Sequence, residues 1–134
     1  MKKILLFSED KKIFDTTILI MEEKRKLVWC TYNQLKKSLY SCADVVIMHF
    51  DKQMLKRGAF EMILKVKGKL GHSTPILAIV EGGTKQDIFC ILKAGVYDYI
   101  ETTENLCEYQ KKVDELFRWS WYLKKYEFEK NSND

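Results

Sequence analysis

The sequence has few of the residues that interrupt regular structure: its 134 residues include one proline and six glycines. This scarcity excludes collagen-like chains and flexible Pro/Gly-rich linkers. No apolar run approaches the roughly 18 residues that a membrane-spanning helix needs. Near the amino terminus, residues 4–7 form an apolar run that is too short for the core of a signal peptide. We therefore expect a cytoplasmic protein with no membrane contact.

The sequence also lacks any Cys-x-x-Cys pair, and its four cysteines are scattered at Cys30, Cys42, Cys90 and Cys107. Without an export signal, we expect reduced thiols that fill the core as small apolar side chains. The first two cysteines with His49 and His72 would match no zinc-ligand spacing. The sequence therefore predicts no metal site.

The apolar content is sufficient for one compact domain, at 46% hydrophobic and 13% aromatic residues. A chain of this length buries enough surface to fold without disulfides or a structural metal. The formal net charge is +4. That excess is too small to indicate a nucleic-acid partner by itself.

Short apolar runs alternate with segments of helical periodicity along the chain. The runs typical of strands buried on both faces are 4–7, 27–31, 45–48, 76–80 and 96–100. The helical patterns cover 10–23, 33–41, 58–69, 84–94 and 105–129. Thr84 is a predicted N-cap and Gly95 a predicted C′ residue. This alternation predicts an α/β fold, with a single five-stranded parallel sheet that is covered by helices on both faces.

In such sheets, functional groups gather at the carboxyl ends of the strands. The positions at these ends are Ser8-Glu9-Asp10, His49-Phe50-Asp51, Val80-Glu81 and Glu101-Thr102-Thr103. Neither a G-x-G-x-x-G motif nor a P-loop follows the first strand, and the turn there is acidic. A flavodoxin-like enzyme or nucleotide binder is therefore only an alternative.

Residues 74–80 (TPILAIV) and 94–100 (AGVYDYI) resemble the fourth and fifth strands of the receiver domain of bacterial response regulators, the CheY-like family. Residues 44–48 and 3–7 are similar to its third and first strands. The resemblance covers about residues 2–118 and implies a flavodoxin-like, doubly wound sheet. It divides the chain into a receiver-like domain, 1–118, and an aromatic extension of the last helix with a frayed end, 119–134.

The resemblance also implies where a phosphorylation site would lie, and the residues there depart from the family pattern. The two acids that hold Mg²⁺ fall on Ser8 and Glu9, and the phosphoacceptor aspartate falls on His49. The hydroxyl residue that ends the fourth strand falls on Val80, and the lysine after the fifth strand falls on Thr102. Among these five positions, only Glu9 keeps a carboxylate.

These replacements remove the chemistry that phosphorylation of an aspartate needs. Mg²⁺ is a hard cation that prefers oxygen ligands, whereas an imidazole suits zinc, copper or nickel. With neither the metal nor the lysine, no group neutralises a transferring phosphoryl group. We expect no cofactor, loss of Mg²⁺ binding and no catalytic residue. The chain would then be a pseudo-receiver in a two-component-type system, a phosphorelay signalling module that acts by protein–protein contact and is not an enzyme.

His49 and Asp51 leave further alternatives open. The simplest interpretation of His49 is a buried histidine that is hydrogen-bonded to Glu9; a pH sensor, a metal ligand shared with Glu9 and a phosphohistidine are the others. Asp51 would be a displaced phosphoacceptor if the third strand ran two residues longer, and otherwise a solvated loop residue.

The aromatic end of the last helix predicts a partner surface, because aromatic residues are enriched in interface cores. In the family, the face formed by the fourth helix, fifth strand and fifth helix is the usual dimerisation surface. The aromatic switch residue of the family's fifth strand is kept as Tyr99. We expect a homodimer or docking face made of Ile88, Ile91, Tyr99, Trp119, Trp121 and Tyr122. If the gene is longer, the resemblance implies a C-terminal output domain, most often a DNA-binding one.

Overall fold

Five strands and five helices make up the computed structural model, which describes residues 2–33 and 42–132, with side chains as far as residue 127. Their order is β1 (Lys2–Phe7), α1 (Lys11–Leu19), β2 (Arg25–Cys30), β3 (Val45–Phe50), α2 (Lys52–Arg57), α3 (Ala59–Leu70), β4 (Ile76–Val80), α4 (Lys85–Ala94), β5 (Asp98–Ile100) and α5 (Leu106–Ser132). The predicted helix 33–41 falls, except for its first residue, outside the described residues.

The strands form one sheet in the order β2-β1-β3-β4-β5, and every pairing is parallel. This confirms the predicted α/β class and the flavodoxin-like strand order. Because all five strands run in the same direction, their carboxyl ends lie along one edge of the sheet.

The pleat divides the core between the two faces of the sheet. In β1, Ile4 and Leu6 pack in the cluster that includes α1 and α5, whereas Leu5 and Phe7 pack in the cluster that includes α3 and α4. All six residues of β3 are buried, which explains its continuous apolar sequence. Successive side chains of a strand point to opposite faces of the sheet. The face that a side chain at the end of a strand reaches therefore depends on its place in this alternation.

The predicted boundaries are most accurate at β4 and α4. β4 occupies the predicted residues 76–80. α4 begins after a capping box in which the side chains of Thr84 and Asp87 exchange hydrogen bonds with each other's backbone N–H. It ends at Gly95, whose φ of 111° is left-handed.

α1 ends at Leu19, four residues short of the predicted helix 10–23. The boundaries also differ around β3. This strand runs two residues beyond the prediction, to Phe50, and a helix that was not predicted, α2, follows at once. The Asp51 carboxylate caps α2 by accepting a hydrogen bond from Met54 N at 2.9 Å. Gly58, at φ 103°, then separates α2 from α3. The prediction missed α2 because six residues are too few to establish a helical period.

The prediction that the cysteines fill the core is wrong for three of the four. Only Cys30, at the end of β2, is buried, and burial raises the pKa of its thiol against the opposing charge of Lys3. The other three cysteines are exposed at Cys42, Cys90 and Cys107. All four are free thiols.

The first half of α5 packs on the sheet. On the side that faces the sheet, Val113, Leu116 and Phe117 are buried, whereas Leu106, at the start of the helix, is 39% exposed. Tyr109 is fully buried. No described helix, α5 included, is long and apolar enough to cross a membrane.

Tyr109 also links α5 to α1. Its hydroxyl lies 2.7 Å from Thr17 Oγ1, and that hydroxyl group in turn donates to the Ile13 carbonyl at 2.6 Å. Burial raises the pKa of Tyr109, and the hydrogen bond with Thr17 only partly offsets this, so the phenol stays protonated.

We expect Tyr109→Phe to lower the free energy of unfolding by about 1 kcal/mol, because it removes one buried hydrogen bond and little volume. Urea denaturation at neutral pH measures this difference. Tyr126→Phe is the matched control, because Tyr126 is 64% exposed and should leave stability unchanged. An equal effect of both substitutions would contradict the assignment.

Beyond Phe117, an ion pair attaches α5 to the amino end of β3. Lys124 Nζ donates to Asp44 Oδ1 at 2.6 Å, and Lys3 N donates to Asp44 Oδ2 at 2.8 Å. Burial acts to raise the pKa of Asp44, but the hydrogen bonds from Lys124 and Lys3 outweigh it and hold the pKa below its usual value.

A carboxylate with a lowered pKa stabilises the folded state above its unfolded pKa, and this contribution is lost as pH falls through the folded value. We therefore expect Lys124→Met to destabilise the protein by roughly 0.2–1 kcal/mol at pH 7, because the pair is partly exposed. The difference from wild type should shrink once pH falls below the ordinary aspartate value of 3.8. Thermal unfolding at several pH values tests this, and a pH-independent difference would contradict it.

Candidate functional site

Three neighbouring strands end at the centre of the carboxyl edge, and one polar side chain from each meets there. Ser8 follows β1, His49 lies near the end of β3, and Glu81 follows β4. Ile79 pairs with His49 in the β3–β4 register. Ser8 and Glu81 each lie an even number of residues from the β1 and β4 side chains that face α1 and α5. All three polar side chains therefore lie on that face of the sheet.

His49 is the centre of this arrangement and is 3% exposed. Its Nδ1 lies 3.0 Å from Ser8 Oγ, within hydrogen-bond distance. Its Nε2 lies 3.3 Å from Glu81 Oε1 but has no hydrogen-bond partner among the described residues. The carboxylate is therefore within ion-pair distance without being aligned for a hydrogen bond. The side chain of Glu81 is 42% exposed, so the cluster reaches solvent on that side.

Ser8 connects His49 to the loop that begins α1. It is fully buried, and its Oγ accepts a hydrogen bond from Asp10 N at 3.0 Å. The Asp10 carboxylate caps α1 by accepting from Lys12 N at 2.9 Å. The Ser8 carbonyl accepts a hydrogen bond from Trp29 Nε1 at 2.8 Å. The serine is therefore held by several contacts and supports the histidine as part of the core.

The expected hydrogen bond between His49 and Glu9 is absent. Glu9 Oε1 instead accepts a hydrogen bond from the backbone N–H of Tyr32 at 2.9 Å. The reason is the alternation of side chains along the strand: Glu9 is one residue beyond Ser8 and therefore points to the opposite face of the sheet. The acid beside His49 is Glu81, which comes from a different strand.

Tyr32 is a site residue that the sequence analysis missed. Its hydroxyl donates to the His49 carbonyl at 2.7 Å, and the side chain is 6% exposed. Burial and the negative charges of Glu9 and Asp51 raise the pKa of Tyr32 well above its usual value, so the phenol remains a donor. No sequence signal marks Tyr32, because it lies in the loop after β2 and contacts β3 only in the folded chain.

The remaining candidate positions do not join the cluster. Val80 packs in the apolar core on the opposite face. Thr102 is exposed, and its Oγ1 accepts a hydrogen bond from Glu104 N at 3.1 Å. The carboxylate of Asp51 serves as the cap of α2.

The predicted partner residues fall into three groups. Ile91 is buried at 1% exposure, so it was wrongly assigned to the surface, and Ile88 and Tyr99 are partly buried against the core. Trp119 is 52% exposed and its ring lies 5.8 Å from that of Tyr97, which precedes β5. Trp121 and Tyr122 are 54% and 59% exposed, and Trp121 lines a groove near the amino end of β1.

The donor set at the carboxyl edge does not fit Mg²⁺. A hydroxyl and an imidazole, which lie within hydrogen-bond distance of each other, stand where the resemblance places two carboxylates. Glu9 is committed to a backbone N–H. Within residues 2–33 and 42–127, no three His, Cys, Asp or Glu side chains converge as a metal site would require.

Comparison with solved structures identifies the fold. A CheY-like response regulator receiver domain protein from Methanospirillum hungatei JF-1 matches with a TM-score of 0.75 and 22% identity, over 91% of this chain and 98% of that one. A two-component response regulator from Clostridium difficile matches at 0.72 and 20%, over 88% and 97%. The chain has the receiver fold.

An adenylate cyclase from Rhodopirellula baltica shares this receiver fold, with a TM-score of 0.74, 14% identity and 94% of both chains covered. At such identities the likeness concerns the fold alone. No family model and no curated protein sequence matches this chain.

We expect Ser8→Ala to destabilise the receiver fold by roughly 1–3 kcal/mol, because it leaves buried His49 Nδ1 and Asp10 N without their partner. Chemical denaturation measures the loss. Thr102→Ala, at an exposed position of the same edge, should change stability by less than about 0.5 kcal/mol. A Ser8→Ala protein as stable as this control would show that the Ser8 hydrogen bonds do not support the fold.

Proposed function

We propose that the chain is an atypical receiver domain of a two-component-type signalling system, which acts by protein–protein contact without Mg²⁺-dependent phosphorylation of an aspartate. The observation that carries this proposal is the position and surroundings of His49. This histidine stands where the resemblance places the phosphoacceptor aspartate, and its ring lies between Ser8 and Glu81.

The chemistry of phosphoryl transfer supports this proposal. The reaction needs a nucleophilic oxygen together with cations that neutralise the transferring group. At this edge the imidazole and the Ser8 hydroxyl contact each other, and the Glu81 carboxylate lies 3.3 Å from the free ring nitrogen. A negative charge at that distance repels a phosphoryl group that approaches the ring nitrogen. The site is therefore suited to a structural role.

The burial of Ser8 supports a function other than enzymatic catalysis. Ser8, His49 and Glu81 are the residue types of a hydrolytic triad, in which the serine oxygen must reach the substrate. Ser8 is 0% exposed and its Oγ also accepts the Asp10 N–H. A substrate carbonyl therefore cannot approach this oxygen in the described conformation.

We propose that the partner surface, for a second copy or another protein, is the face of α4, β5 and α5. Large apolar side chains are exposed along it, at Phe89, Leu92, Tyr97, Trp119, Tyr122 and Tyr126. Phe89 and Tyr126 are each 64% exposed. A row of aromatic side chains of this size is typical of an interface core.

A receiver that uses Asp51 as a displaced acceptor is the second candidate. One observation favours it: the charges of Glu9 and Asp51 both act on the hydroxyl of Tyr32, so the two carboxylates lie near the same group. Proteins usually bind Mg²⁺ through one or two carboxylates, so these two acids are the candidates for a site at this edge.

The proposal is tested by recording the ¹⁵N–¹H amide spectrum of the chain during titration with millimolar Mg²⁺ and then with beryllofluoride, which mimics an aspartyl phosphate. We expect the resonances of Glu9, His49, Tyr99 and Thr102 to stay in place. The spectra of Asp51→Asn serve as the matched control, because this variant lacks the alternative acceptor.

Saturable shifts in the wild-type spectrum that vanish in Asp51→Asn would overturn the first proposal in favour of the displaced acceptor. Saturable shifts that persist in Asp51→Asn would overturn both, and would require another group at the carboxyl edge to bind the phosphoryl mimic.

A further inference from the structure

A groove lies at the opposite end of the molecule from His49, where α5 passes the amino end of β1. It has two adjoining parts of about 310 Å³ and 480 Å³ that share Lys2, Phe117 and Trp121 in their walls. Phe117 is nearly buried and forms the apolar floor, whereas the Trp121 indole is 54% exposed. We name these two parts together the amino-edge groove.

The acids of the amino-edge groove already have cationic partners. Arg25 contacts Asp114 at 2.7 Å and Glu22 at 3.7 Å, and Lys124 contacts Asp44 at 2.6 Å. The groove wall holds five cationic side chains against these three acids, so a net positive charge remains.

Three cations of the groove form no salt bridge with an acidic side chain that the structure describes: Lys2, Arg118 and Lys125. Two of them lie against aromatic rings, with Lys2 Nζ 5.6 Å from the centre of Phe117 and Lys125 Nζ 5.0 Å from that of Trp121. This excess of cations beside an exposed indole forms a surface of positive charge with an apolar centre.

We propose that the amino-edge groove binds an acidic segment of a partner protein, with an apolar side chain seated against Phe117 and Trp121. Tryptophan and arginine are the residue types that most often dominate protein–protein binding energy. Acidic side chains of the segment would pair with Lys2, Arg118 and Lys125. This surface adjoins the face of α4, β5 and α5: Trp121 lies on the other side of α5 from Trp119, and Tyr122 borders both surfaces.

Two other anionic partners fit the groove less well. Successive nucleic-acid bases stack on several aromatic faces along a groove, whereas the rings of Trp121 and Tyr122 meet edge-on at 81°. A bilayer binds a face rich in exposed aliphatic and aromatic side chains. Here the apolar part is the recessed Phe117 floor with one indole, between charged walls.

The proposal is tested with an acetylated peptide in which four glutamates surround a central Leu-Phe pair. We expect the Trp121 indole resonance and the amide resonances around Phe117 to shift saturably during titration, and the Trp119 indole resonance to stay in place. A peptide with glutamine in place of glutamate should bind at least tenfold more weakly, because charge pairing drives the association.

Substitutions separate the contribution of the cationic side chains to peptide binding from that of the Trp121 ring. Arg118→Glu combined with Lys125→Glu should weaken peptide binding at least tenfold, whereas Lys85→Glu, at the start of α4, should not. Trp121→Ala should weaken binding roughly tenfold, with Trp119→Ala as the matched control, because the two indoles are similarly exposed. Thermal unfolding of each variant verifies that the fold persists.

Three results would overturn the proposal: no saturable shift with the acidic peptide, binding that survives the charge reversal, or shifts in the groove only with a thymidine oligonucleotide or with phosphatidylserine vesicles. The last result would assign the groove to nucleic acid or membrane. None of these outcomes depends on Mg²⁺ or beryllofluoride, so failure here and failure of the proposed function are distinguishable.

Discussion

The alternation of side chains in β1 and β3 is the constraint on which the rest of this structure depends. Both strands are buried on both faces of the sheet between α1 and α5 on one side and α3 and α4 on the other. Shifting one strand by a residue would send each of its side chains to the opposite face. The same register that packs the apolar residues therefore also places Ser8 and His49 side by side at the carboxyl edge.

This edge differs physically from one that carries several carboxylates. Clustered acids repel each other and need a cation to relieve that repulsion. Here a hydroxyl and an imidazole form a contact that needs no cation, and Tyr32 adds a hydrogen bond to the His49 carbonyl. The polar group at the centre of the sheet edge thus becomes part of the folded core. Such a domain would transmit information through the surfaces it offers to partners, as we propose, and not through a change at this edge.

α5 provides two such surfaces because it is longer than the sheet that it covers. Its 27 residues extend for about 40 Å, whereas a six-residue strand spans about 20 Å. Trp119 and Trp121 are two residues apart and so point about 200° from each other around the helix. One indole joins Tyr97 near β5, and the other lines the groove at the amino end of β1. A single aromatic segment in the sequence therefore contributes side chains to two adjoining surfaces of the helix.

Local patterns in the sequence were enough to predict the five strands, the parallel sheet and the capped helix α4, because apolar periodicity and capping residues act within a few neighbouring positions. Only the tertiary structure decided which acid stands beside His49, that three cysteines are exposed, and that Ile91 belongs to the core. These outcomes depend on which face each strand end presents and on which elements cover it. The sequence analysis predicted Glu9 as the partner of His49, but the alternation of side chains in β1 and β4 brings Glu81 to the histidine and turns Glu9 to the other face.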